Sequence, residues 1–165
     1  MNDKKNILLT SYKDNVACLT LNRPKAHNSL SKNLLNSLLN EIENVKNNKK
    51  IKVLIIAANG PSFCAGHDLK EITENKSKNF YNDLFKLCSK LMLSIVELPI
   101  PVIAKVQATA TAAGCQLVAT CDLAISSKEA KFATPGVNIG LFCSTPMVAL
   151  SRNISRKHAM EMLLT

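Results

Sequence analysis

Short apolar runs of strand length alternate with longer stretches whose apolar residues recur every three or four positions, and this alternation leaves the chain few ways to fold. Residues 7–11 and 16–21 are apolar and β-branched, and the polar Lys13-Asp14-Asn15 between them predicts a β-hairpin. Leu35, Leu38, Leu39, Ile42 and Val45 follow at helical spacing, with Ser31 placed to cap the helix they predict. Residues 53–57 form a continuous apolar run that reads as a strand buried on both faces, closed by the turn Asn59-Gly60-Pro61. Phe80, Leu84, Leu87, Leu91 and Ile95 mark a second helix, which must end before Pro99. Residues 101–106 restart a strand. Residues 108–120, rich in Ala and Thr around Gly114, read as strand, small-residue turn and closely packed helix, and residues 123–125 as a further strand. Strands alternating with helices predict an α/β layer architecture with right-handed crossovers, and 165 residues suffice for one domain.

Charge narrows the function less than it first suggests. The net charge of +9 comes from 21 Lys and Arg against 12 Asp and Glu, an excess that can favour polyanions. The lysines are scattered among asparagines, as at Lys46, Lys49, Lys50 and Lys52, with no interleaved aromatics of the kind single-stranded nucleic acid binders use. Nucleic acid is therefore not expected as a partner. The six cysteines, at 18, 64, 88, 115, 121 and 143, form no CxxC pair and no ligand spacing with His27, His67 or His158, so reduced buried thiols and no metal are expected. Residues 1–5 lead into an apolar stretch too short for a signal segment, and no run approaches the ~20 residues of a membrane span. A cytoplasmic protein with no membrane partner is the expectation.

Two segments place small residues just after a predicted strand, where backbone N–H groups can approach a ligand. They are residues 64–70, Cys-Ala-Gly-His-Asp-Leu-Lys, and residues 111–116, Thr-Ala-Ala-Gly-Cys-Gln. The free N–H groups at a helix start favour negative charge, and two donors aimed at one oxygen make an oxyanion hole. Spacing alone leaves a second reading open, that both are simply tight turns.

Four blocks in order carry a resemblance. Residues 22–26 (Asn-Arg-Pro-Lys-Ala), 63–71 (Phe-Cys-Ala-Gly-His-Asp-Leu-Lys-Glu), 101–106 and 121–125 resemble those of the crotonase, or enoyl-CoA hydratase/isomerase, family. The resemblance implies a crotonase-like spiral of ββα turns that binds a coenzyme A thioester, with the thioester carbonyl held by two backbone N–H groups. It puts those donors at His67 and at Ala113, the latter because Ala112-Ala113-Gly114 falls on the family's glycine triplet. Alanine keeps such a donor provided the local φ is negative. It also implies that Lys25, Ala26 and His27, with Ala65, His67, Asp68, Leu69, Lys70, Ala113 and Gly114, line the coenzyme A and substrate groove. Asp68 would tie its loop to neighbouring backbone, and the His67 imidazole is a second candidate for acid–base work. No cofactor is implied beyond the thioester as substrate or ligand.

The pattern then breaks. Hydratases of the family use two glutamates to activate water and to protonate the α-carbon. The matching positions here hold Gln116, which can orient a water but not deprotonate it, and Gly136, which has no side chain. Two classes remain: an enzyme-like protein acting on an acyl- or enoyl-CoA, and a non-catalytic acyl-CoA-binding or assembly protein. If the glutamates alone are missing, restoring both at 116 and 136 should raise hydration. The family extends into further helices that support homotrimers or hexamers, so the chain is expected to be truncated before that helical region, with apolar surface exposed along Ala149, Leu150, Met160 and Leu163.

Overall fold

The computed structural model describes residues 6–165; the residues 1–5 on which the absence of a leader was argued lie outside them. Strands β1 (Leu8–Lys13) and β2 (Val16–Leu21) pair antiparallel, as the hairpin reading requires. Asp14 and Asn15 both take positive φ, of 50° and 64°, which is the geometry of a two-residue type I′ turn and one that Asp and Asn tolerate better than most residues.

Helix α1 (Lys32–Asn47) starts at Ser31, whose Oγ accepts from the Leu34 N–H at 3.3 Å. Strand β3 (Val53–Ala58) then lies parallel to β2. Only Leu54 and Ile56 of it are fully buried, so the strand buries one face against the core and shields the other in part, not both as expected. From here the chain repeats a unit. Strand β4 (Ser62–Cys64), the short α2 (Leu69–Glu74) and the long α3 (Lys78–Val96) lead to β5 (Val102–Val106). Strand β6 (Thr109–Thr111) and α4 (Ala113–Thr120) lead to β7 (Leu123–Ser126), and β8 (Phe132–Ala133) closes the series.

The first strand of each pair joins a five-stranded sheet of order β1-β2-β3-β5-β7, and the second joins a three-stranded parallel sheet of order β4-β6-β8. Strand pairs that alternate between two sheets, with helices returning the chain, are a spiral of ββα turns. The core lies between the larger sheet (Leu19, Leu21, Leu54, Ile56, Ala104) and the apolar faces of α1 and α3 (Leu38, Ile42, Leu84, Leu91). Among the described residues no helix is long and apolar enough to cross a membrane.

A 3-10 turn at Pro135–Ile139 and helices α5 (Ser144–Asn153) and α6 (Arg156–Leu164) complete the fold. Leu150 and Leu163, expected to be exposed, are buried instead in a small second cluster with Cys115 and Cys143. Large exposed apolar residues lie on β7 (Leu123, Ile125), around the 3-10 turn (Phe132, Ile139, Leu141, Phe142), on α3 (Phe85, Leu93, Val96) and on α5 and α6 (Val148, Leu164), with Met160 the one expected position that is exposed.

Candidate functional site: two backbone donors at a loop contact

Because β4 and β6 are neighbours in a parallel sheet, the loops that leave their ends meet. Gly66 has φ +92°, and a Cβ added to it would stand 3.0 Å from Ala112 Cβ and 3.3 Å from the Ala113 N. At Gly114 an added Cβ would stand 2.1 Å from the Cys64 carbonyl oxygen, closer than atoms can pack, so only glycine lets the first turn of α4 rest on the β4 backbone. His67 follows Gly66, and Ala113 opens α4. The sequence thus brings the two expected donors to one place through residues that carry no side chain.

Among the described residues, neither the His67 N–H nor the Ala113 N–H donates to a protein acceptor. Their neighbours do: Asp68 N–H donates to Leu30 O at 3.3 Å and Ala112 N–H to Ala133 O at 2.9 Å. Ala113 lies within the helix and satisfies the negative-φ condition. Ala112 does not, with φ +49° and ψ −122°, a conformation that favours glycine and costs an L-residue about 1–3 kcal/mol.

The loop carrying His67 is tied down from the other side. Arg23 Nη2 donates to Asp68 Oδ2 at 2.8 Å, and Asp68 Oδ1 accepts from the Glu71 N–H at 3.3 Å, capping α2. Burial pushes the Asp68 carboxyl up, but the Arg23 and Glu71 hydrogen bonds outweigh it and hold the group below the usual carboxylate range. Asp68 is an anchor in this geometry, with its oxygens engaged. Asn28, fully buried with positive φ, accepts from Arg23 N–H and donates to Asn59 O and Ser62 O, while His27 O accepts from Ala65 N–H at 3.0 Å. Asn28 was not singled out from sequence. Its signal is a small amide beside a proline turn, too common to stand out.

The remaining candidates separate. Lys25, Ala26, Asp68 and Lys70 share the lining of an open groove of about 1020 Å³ with Arg23 and Ser31. His27 is exposed beside it with Nδ1 2.8 Å from Ser62 Oγ, and Leu69 is exposed as well. Among the described residues Lys70 pairs with Glu74 alone, at 3.9 Å on the surface. The His67 ring packs edge-on against Phe85 with centroids 5.2 Å apart; burial pushes its pKa down, and its Nε2 is buried with no hydrogen-bond partner among the described residues. A ring kept neutral in this way is a poor proton donor near neutral pH. Burial likewise pushes the Cys115 thiol up to about 11, which argues against a nucleophilic role.

At Gly136 the structure overturns the simple idea of restoring two glutamates. A Cβ there would stand 2.2 Å from Leu141 O and 2.8 Å from Cys143 Sγ, so the backbone is packed against any side chain at this position. Gln116, by contrast, is a buried residue in the first turn of α4, and its Oε1 has no hydrogen-bond partner among the described residues.

A ββα spiral with paired backbone donors at its strand ends defines a crotonase-type fold, and residues 11–165 match the family model described as enoyl-CoA hydratase/isomerase. The chain belongs to that family. It is 51% identical over 152 residues to the human protein named enoyl-CoA hydratase domain-containing protein 3, mitochondrial, covering 92% of this chain and 50% of the human one. It is 33% identical over 159 residues to the 2,3-dehydroadipyl-CoA hydratase of Escherichia coli, covering 96% of this chain and 61% of that one. Among solved structures, an enoyl-CoA hydratase of Mycobacterium smegmatis superposes with TM-score 0.94 at 50% identity, over 98% of this chain and 63% of that one. The chain thus spans about half to three-fifths of the length of these relatives.

Two outcomes follow from the geometry. Ala112→Gly should raise stability by about 1 kcal/mol, the relief of strain exceeding the added freedom of the unfolded chain; urea unfolding checks this, and a loss of stability would contradict the strain. His67 has a folded pKa below its unfolded value of 6.5, so the stability it contributes is present above that value and is lost as pH falls. Unfolding free energy should therefore decline from pH 7 toward pH 5, and His67→Phe should flatten that decline.

Proposed function

We propose that the chain handles an acyl-CoA thioester whose carbonyl oxygen is received by the His67 and Ala113 N–H groups, and that it does not carry out ordinary enoyl-CoA hydration. The observation that carries the reading is the pair of unpaired amides held together at the Gly66–Ala112 contact. A carbonyl oxygen polarised by two fixed donors gains most as negative charge develops on it, and each donor typically contributes about 2.7–4 kcal/mol to such a state. Hydration needs in addition a base for water and a proton for the α-carbon. Gln116 cannot supply the first, and Gly136 is packed so that no side chain can supply the second.

Coenzyme A itself would lie along residues 25–27 and 65–70. Lys25 and Lys70 are exposed cations suited to its phosphates, Ala26, His27, Ala65, Asp68 and Leu69 would give the wall, and Gly114 would hold the Ala113 donor in place. No other cofactor enters this reading, and the partner is a small molecule rather than nucleic acid. The exposed apolar residues Leu123, Ile125, Leu141 and Phe142 favour self-association, for which a homotrimer or hexamer is the family's pattern. The vertebrate relatives are mitochondrial by name, which favours that compartment over the cytoplasmic expectation.

The test is calorimetry with butyryl-CoA alongside spectroscopy of crotonyl-CoA. Saturable binding displaced by free coenzyme A, with conjugation lost no faster than in buffer, is the expected result. Failure of every thioester to bind would overturn the thioester reading, and rapid loss of conjugation would overturn the exclusion of hydration.

A further inference from the structure

Helix α1 divides its surface between two grooves. Its first half, at Asn33, Asn36 and Asn40, lines the open groove beside Lys25 and Lys70, while Ile42, Glu43 and Lys46 of its second half line another, of about 640 Å³, together with α3. The two grooves share no residue. The second one combines Phe85 and Leu93 with Lys46, Lys86 and Lys90. From Lys46 the chain continues through Lys49 and Lys50 to Lys52, whose N–H donates to Asn15 O at 2.7 Å and so brings the hairpin tip with Lys13 alongside. All seven lysines are exposed, and among the described residues none forms an ion pair. The carboxylates on the same elements, Asp14, Glu41, Glu43, Asp83 and Glu97, are fewer, and Glu41 and Asp83 are engaged by Tyr12 and Lys32.

Helix α3 adds apolar surface to this basic end. Its inward face is Leu84, Cys88, Leu91, Met92 and Ile95, yet Phe85, Leu93 and Val96 are 44%, 55% and 66% exposed. At 3.6 residues per turn these three fall within about 80° of arc, and Lys86 and Lys90 continue it. Aliphatic side chains held in water beside free cations are the pattern of a peripheral membrane helix, whose apolar groups enter the acyl boundary while its lysines meet anionic headgroups. A single-stranded nucleic acid would instead want rings on which to stack its bases, and Phe85 is the one aromatic residue lining this groove.

We propose that the groove between α1 and α3, with the lysines around it, is a docking surface for an anionic phospholipid bilayer, entered by Phe85, Leu93 and Val96 and held by Lys46, Lys86 and Lys90. The expectation of no membrane partner concerned a spanning segment, and a peripheral surface needs none. Because the grooves share no residue, docking does not occupy the residues beside Lys25 and Lys70. The surface is independent of the thioester reading.

Co-sedimentation of the full chain with vesicles tests this. Vesicles of phosphatidylcholine containing about 30% phosphatidylglycerol should bind at least about tenfold more tightly than phosphatidylcholine alone, and raising the salt should weaken that binding. Lys86→Gln with Lys90→Gln should cost about tenfold in affinity, whereas Lys128→Gln with Lys131→Gln, an equal change of charge at exposed positions beyond the C-terminal end of β7, should cost less than about twofold. Leu93→Gln with Val96→Gln, which leaves the charge unchanged, should also weaken binding about tenfold. Equal binding to the two kinds of vesicle, or none, overturns the proposal, and this comparison needs no variant to fold. Lysine pairs that act alike, or a Leu93→Gln, Val96→Gln chain that binds as the wild type does, overturn it as well. Tighter binding of a single-stranded oligonucleotide than of the anionic vesicles would make the face a nucleic-acid surface instead. A wild-type dimer that Leu93→Gln with Val96→Gln dissolves, in a chain that ignores vesicles, would make it a contact between copies.

Discussion

The close approach of α4 to the β4 backbone is the contact on which the rest of the site depends. With 2.1 Å between the Cys64 oxygen and any Cβ at position 114, a single methyl group would push the helix start away from the strand. Were it pushed away, Ala113 would no longer face the Gly66-His67 peptide, and the two amides would be unrelated turns. The parallel pairing of β4 with β6 brings the segments alongside, and the glycines let them touch. Fold and site are thus the same contact seen at two scales.

A second constraint holds the opposite side of that loop. Arg23 and Asp68 form a partly buried ion pair, and Asn28 stitches the same region to the carbonyls of residues 59 and 62. Charge and amide groups are used here to fix backbone, which is why the acidic residue nearest the donors is an anchor. The strain at Ala112 belongs to the same economy: a residue with a Cβ sits where φ is positive, and the helix that begins beside it holds it there.

The longer elements were legible because their patterns are long. The apolar period of α1 and α3, the polar tip of the hairpin and the Ser31 cap all act locally, and each falls where the sequence places it. Strands β4 and β6 have three residues each and β8 two, too few to show a period of two, and α2 lies hidden in what reads as a loop. The positions of His67, Ala113 and Gln116 came from motif order. What could not be read was the space around them: that Gly136 faces Leu141 O and Cys143 Sγ, and that Leu150 and Leu163 turn inward onto Cys115, are facts of long-range packing. The glycine at 136 looks in sequence like a deletion of function, and in the structure it is a packing requirement.

The central claim is that the His67 and Ala113 amides together receive a thioester oxygen. Backbone amide resonances of the isotopically labelled chain, followed during titration with butyryl-CoA, report on each N–H separately. The largest shifts should fall on His67 and Ala113 and move together with one saturation curve. Saturable binding that leaves those two resonances in place while shifting others would contradict the claim.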